Sequence, residues 1–179
     1  NRGCDPKKVL IQFSDLLNTT KNLKSLGVDK LPEINWKAVQ KLKSKFTAKV
    51  PKSTEENLLN LEIDIYHQSP EFIDDHTVMV EGKKISATYF VIASGRTPRT
   101  LKIKGQKHLL NLKKIPKSAT FIGSGYVGME FACMLQQLGT KVTILEHGPQ
   151  ALKHFDSFLV NHLIEKMKSD GVNFIFNAE

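Results

Sequence analysis

Phe121-Ile122-Gly123-Ser124-Gly125-Tyr126-Val127-Gly128-Met129-Glu130 is the stretch on which the fold of this chain turns. Thr120-Phe121-Ile122 close a predicted strand, and Val127 to Leu138 has the apolar spacing of a helix. The glycines therefore fill a strand-to-helix turn, the setting in which such a pattern points to a nucleotide. Gly123 suits the tight turn, Gly125 lets backbone approach a diphosphate, and Gly128 lets the helix lie close to the strand. The first helical turn, with Tyr126 and Val127, adds N–H groups without intrahelical partners and the positive end of the helix dipole.

A second predicted strand, Lys141-Val142-Thr143-Ile144-Leu145, ends on Glu146, eighteen residues beyond Gly128. A carboxylate there can accept the adenosine ribose hydroxyls and would repel a 2′-phosphate, which favours NAD(H) over NADP(H). NADP(H) stays open, because His147 and Lys153 follow closely and can approach a 2′-phosphate. With no nucleotide, the same residues would be a tight turn and a solvated strand end.

Working outward, strand, helix and strand signals alternate from about residue 116 to the end. A helix is expected from about Phe158 to Ser169 and a last strand over Val172 to Phe176. This is the pattern of a parallel βαβ sheet, the first half of a Rossmann-type domain. Upstream, Pro6 to Leu26 reads as an amphipathic helix ended by Gly27. A second runs from Trp36 to about Val50, where Pro51 interrupts it, and a short one starts at Ser53. Strands are expected at Ile63–His67, Phe72-Ile73, Thr77–Val80, Lys84–Ala87 and Tyr89–Ile92, with a turn at Glu81-Gly82.

With 40% hydrophobic and 25% charged residues among 179, the composition is that of an ordinary globular chain and not of a disordered one. No apolar run approaches the roughly eighteen residues of a membrane span. The net charge of +8 is carried by lysines scattered over amphipathic helices, with no aromatic RNA-binding motif, so neither a nucleic acid nor a membrane is expected as partner. Two cysteines make no disulfide scaffold. Cys133, beside Phe131, Ala132, Met134 and Leu135, reads as a small core residue, whereas Cys4 precedes Pro6 at a helix start, where the dipole favours a thiolate. Cysteine used in this way fits a reducing, cytoplasmic setting. The histidines show no metal-ligand spacing, and no metal site is expected.

Gly3-Cys4-Asp5-Pro6-Lys7-Lys8, Ala93-Ser94-Gly95-Arg96-Thr97-Pro98 and Phe155-Asp156 together resemble the class I pyridine nucleotide-disulfide oxidoreductases, the glutathione reductase, dihydrolipoamide dehydrogenase and mercuric reductase family. The resemblance runs the length of the chain. It implies part of an FAD-binding domain with a small β insertion over residues 1–110, then part of an NAD(P)-binding domain over 111–179. It also implies an internal fragment of a longer, homodimeric flavoenzyme. The family's first cysteine would fall two residues before Asn1, and its FAD fingerprint and dimerisation domain outside the chain.

On the same resemblance, electrons pass from NAD(P)H through FAD to a cysteine pair and on to a small-molecule disulfide. Cys4 corresponds to the flavin-proximal cysteine. Lys7 approaches the flavin and pairs with Glu130, while Tyr126 covers the nicotinamide pocket. Lys8, Ala93, Ser94 and Gly95 fall on the flavin side. Asp5-Pro6-Lys7-Lys8 puts glutathione-disulfide chemistry first, with dihydrolipoamide dehydrogenase and mercuric reductase as alternatives. A module that binds NAD(H) without catalysis is the alternative of another class, and a cysteine five residues before Cys4 would discriminate against it.

Overall fold

A computed structural model describes residues 4–95, 101, 103, 105 and 109–179. Gly3, Arg96, Thr97 and Pro98, which carry part of the family resemblance, lie outside them. The chain divides into two compact units, Asn1–Ala48 with Lys107–Glu179, and Lys49–Gln106. That partition is one of packing. It differs from the division at 110/111 because the N-terminal helices pack with the C-terminal part of the chain, residues 109–179.

In the first unit, β4 (Ser118–Ile122), β5 (Lys141–Leu145) and β6 (Asn173–Ile175) form a parallel sheet in the order β4-β5-β6. Phe121 pairs with Ile144 and Ile144 with Phe174, so the sheet is in register across its centre. Between the strands run α4 (Tyr126–Gln137) and α5 (Ser157–Ser169), the latter capped by Asp156, which accepts from Leu159 N–H at 3.1 Å. The expected helices and strands of this half are all present, which makes it a Rossmann-type α/β arrangement.

The core gathers Val142 and Ile144 of β5, and Met129, Phe131, Ala132, Met134 and Leu135 of α4, with Met167 and Val172. Leu10 of α1 (Cys4–Asn22), Trp36 and Val39 of α2 (Trp36–Ala48), and Leu110 complete it. Trp36 also donates its indole N–H to the Leu112 carbonyl at 2.8 Å, and the Lys43 ammonium donates to the Leu110 carbonyl. Thus one face of α2, seven residues apart, grips the segment that leads into β4. Burial pushes the Lys43 pKa down, so this contact holds a lysine in a place that disfavours its charge.

The second unit holds α3 (Val50–Asn60) and an antiparallel sheet of β1 (Glu71–Asp74), β2 (Thr77–Val80) and β3 (Lys83–Ser86). Glu81 and Gly82, at φ 50° and 75°, form the two-residue turn with both angles positive whose twist matches that of the flanking strands. Three expectations fail here. Pro51 does not interrupt a helix but starts α3, because a first-turn residue needs no N–H partner; Ser53 therefore lies inside it. Ile63–His67 is not a strand. Ile63 N–H closes the end of α3 on the Leu58 carbonyl at 3.1 Å behind a left-handed Glu62, and His67 N–H goes to a Glu81 carboxylate oxygen at 2.6 Å. Tyr89–Ile92 has strand-like residues but no ladder among the described residues, and Tyr89, Val91 and Ile92 are exposed by 79–90%.

Candidate functional site

The glycine turn lies at the C-terminal end of β4 and runs straight into α4. Gly123 has φ +89°, a conformation that a β-carbon would strain, and its N–H reaches across to the Leu145 carbonyl at 2.7 Å. Gly125, at φ −71°, needs no such freedom. What it provides is space, since nothing lies within 4 Å of where its β-carbon would be. It is also the N-cap of α4, and no side chain caps the helix. The first-turn N–H groups at Tyr126, Val127 and Gly128 thus have no side-chain cap, an arrangement that can receive an anion. A β-carbon on Gly128 would lie 3.4 Å from the Gly123 carbonyl oxygen, so helix and turn are already in close approach there.

Glu146 closes the other side. The residue is 9% exposed, and its carboxylate accepts from Ser124 N–H at 2.8 Å and from the Ser124 hydroxyl, both on Oε2, while Gly148 N–H donates to Oε1 at 3.0 Å. Burial alone would raise its pKa. The Ser124 and Gly148 hydrogen bonds, helped by the charge of Lys153, outweigh that and hold it below the ordinary carboxylate range. The two residues read for opposite cofactor preferences, Glu146 and Lys153, therefore meet beside Gly148. His147 is exposed and contacts the Ala178 carbonyl at 3.3 Å.

Lys7 and Glu130, 123 positions apart, form an ion pair; the lysine side chain is 5% exposed and the glutamate 42%. The Lys7 ammonium also lies 5.7 Å from the centre of the Tyr126 ring. These contacts bring the start of α1, which carries an exposed Cys4, against the start of α4. Lys8 is exposed on α1. Ala93, Ser94 and Gly95 are exposed, irregular, and belong to the other unit. Cys133 is half-buried on α4, and burial, with Asp170 nearby, pushes its thiol up, as suits an inert core residue.

Ser124 is the residue that reading the sequence missed. Only its place between two glycines, upstream of a strand ending in an acid, could have pointed to it. Among the described residues no group of His, Cys, Asp and Glu could hold a metal ion, and no helix is long and apolar enough to cross a membrane.

The family model for pyridine nucleotide-disulphide oxidoreductases matches residues 1–179. The chain is 29% identical to a mercuric reductase of Lysinibacillus sphaericus, covering 99% of this chain and 34% of that protein. It is 30% identical to a dihydrolipoyl dehydrogenase of Geobacillus stearothermophilus, over 99% of this chain and 40% of that one. Among solved structures, the HOCl-induced flavoprotein disulfide reductase RclA of Escherichia coli superposes with a TM-score of 0.76 at 26% identity, covering all of this chain and 40% of that one. The chain thus spans between 34% and 40% of the length of these relatives.

Proposed function

The chain belongs to the pyridine nucleotide-disulphide oxidoreductase family, and on that premise we propose that the protein it forms part of moves an electron pair from NADH to a small-molecule disulfide through FAD and a cysteine pair. The observation that carries this reading is the Lys7–Glu130 ion pair, which joins the thiol-bearing start of α1 to the helix that follows the glycine turn. A nucleotide held by the turn and a thiol at Cys4 then belong to one site.

The turn fits a dinucleotide. Gly123, Gly125 and Gly128, with the N–H groups of Tyr126 and Val127, would hold the diphosphate, and Glu146, kept ionised, would take the ribose. Lys7, fixed by Glu130, would keep a positive charge beside the reacting thiol of Cys4. Tyr126, 57% exposed beneath that ammonium, is free to turn aside for a nicotinamide. FAD, when bound, supplies the relay of the electron pair between nicotinamide and thiols. Lys8, Ala93, Ser94 and Gly95 are assigned to its side by resemblance; the last three, exposed and irregular, offer no ordered cradle by themselves.

Similarity to mercuric reductases and dihydrolipoyl dehydrogenases supports a lipoamide-type disulfide or a thiol-bound metal ion as substrate. The glutathione-type substrate that Asp5-Pro6-Lys7-Lys8 puts first has no such support from the relatives named above. Glu146 sides with NAD over NADP. A flavin-binding part within residues 1–110, a nucleotide-binding part in 111–179, a homodimeric state and a cytoplasmic location complete the proposal. In the whole protein, Cys4→Ser should abolish the long-wavelength absorbance of a thiolate lying against oxidised flavin. Persistence of that band would show that Cys4 is not the flavin-proximal thiol.

A further inference from the structure

Ser124 is 2% exposed, and every polar group it has is engaged. Its N–H and hydroxyl both donate to Glu146 Oε2, and its carbonyl accepts from Leu152 N–H at 3.2 Å. A solvent-facing spacer between two glycines would not be so used. A carboxylate has about four acceptor positions. Two of them, both on Oε2, are filled from the buried side by Ser124, and one on Oε1 by Gly148. The acceptor position left is on Oε1.

We propose that Ser124 is a positioning residue that sets nucleotide specificity: its hydroxyl grips the Glu146 carboxylate from behind and presents Oε1 to the adenosine ribose. This rests on the reading of Glu146 as the ribose acceptor. The diphosphate-binding turn and the specificity acid are then one unit, joined by a single side chain. A 2′-phosphate would meet an anion that cannot swing away. The hydroxyl also stabilises the charged form of the carboxylate, in line with its lowered pKa.

Removing the hydroxyl would free an acceptor position on Oε2, but one that faces the interior, so a ribose hydroxyl cannot use it in compensation. Dissociation constants of the full-length protein for NADH and NADPH, measured by fluorescence titration, test the idea in Ser124→Ala, Ser124→Thr and Glu146→Gln. Loss of one hydrogen bond to a charged group should weaken NADH about tenfold in Ser124→Ala. NADPH affinity should change less than about twofold, and Ser124→Thr, which keeps the hydroxyl, should restore NADH binding to within about threefold. Equal weakening of both nucleotides would mean that Ser124 only braces the turn, and would overturn the proposal. So would unchanged NADH binding in Ser124→Ala while Glu146→Gln weakens it, which leaves the reading of Glu146 intact. If Glu146→Gln itself leaves NADH binding unchanged, that reading falls and the role of Ser124 falls with it.

Discussion

The parallel sheet β4-β5-β6 and the antiparallel sheet β1-β2-β3 are each three short strands, yet they hold together by different means. In the parallel one, Val142 and Ile144 of β5 are fully buried beneath α4, within a core that extends to α1 and α2. In the antiparallel one, β1 is exposed along its whole length, and the buried apolar residues among those described are Val78 and Val80 of β2. The parallel strands exist because helices cover them, since parallel ladders need crossover connections and a covered face. The hairpin strands exist because two-residue turns set their register locally. A functional site that must hold atoms in fixed places is therefore better built on the first sheet, where the glycine turn and Glu146 lie.

The largest effect that separates the two should come from the cores. Leu135 is fully buried on α4, and Leu135→Ala should cost about 2–5 kcal/mol. Val80→Ala removes a smaller side chain from a thinner core and should cost about 1–2 kcal/mol. Hydrogen exchange distinguishes the sites of damage. Leu135→Ala should speed exchange in the β4–β5 and β5–β6 ladders, and Val80→Ala in the β2–β3 ladder. If either variant loosens both ladders alike, the two regions are one cooperative unit and the contrast breaks.

Contacts between carboxylates and basic side chains sharpen the same contrast at a lower energy. Glu130→Ala would leave the buried Lys7 ammonium without its carboxylate, and should cost on the order of 2 kcal/mol after discounting for the exposure of Glu130. The pair Glu55–His67 in the other unit has side chains 45% and 71% exposed. Glu55→Ala there should change stability by less than about 0.5 kcal/mol. Denaturation midpoints of the two variants check this, and an equal loss would mean that burial does not decide the worth of these pairs.

The helical and parallel part of the chain was legible because burial writes itself into sequence as period. Val142 and Ile144 alternate with less buried neighbours, and Met129, Ala132 and Leu135 recur along α4. The antiparallel part was legible at its turn, Glu81-Gly82, and not at its margins. Ile63–His67 and Tyr89–Ile92 have the residues of strands, but whether such a run pairs depends on a neighbouring edge, which local sequence does not encode. Pro51 misled because it breaks a helix from inside and begins one from its first turn. At the candidate site, spacing alone located the turn and Glu146. That Lys7 meets Glu130 across 123 positions came only from resemblance, since no local pattern links them. Ser124 was invisible because a serine in a glycine turn is ordinary until its partner is seen.

The smallest effect is a pH dependence confined to the first region. The folded-state pKa of Glu146 is held below the ordinary carboxyl value of about 4.5, as the Ser124 and Gly148 hydrogen bonds and the charge of Lys153 together outweigh burial. For a carboxyl group with a depressed folded pKa, the unfolded chain binds the proton first, so stability falls as pH falls. Its contribution is fully present above about pH 4.5, the unfolded value, and is lost as pH drops through the lower folded value. The loss should loosen the places Glu146 ties together, namely the Ser124 and Gly148 amides at the ends of β4 and β5. In a titration downward from pH 6 followed by hydrogen exchange, these amides should lose protection below pH 4.5 in the wild type. In Glu146→Gln, which has no proton to gain, the added loss should disappear, while the β2–β3 amides should respond alike in both proteins. Identical acid profiles for the Ser124 amide in the two would mean that the carboxylate does not hold the turn, and the first region's advantage as a site would then rest on its apolar core alone.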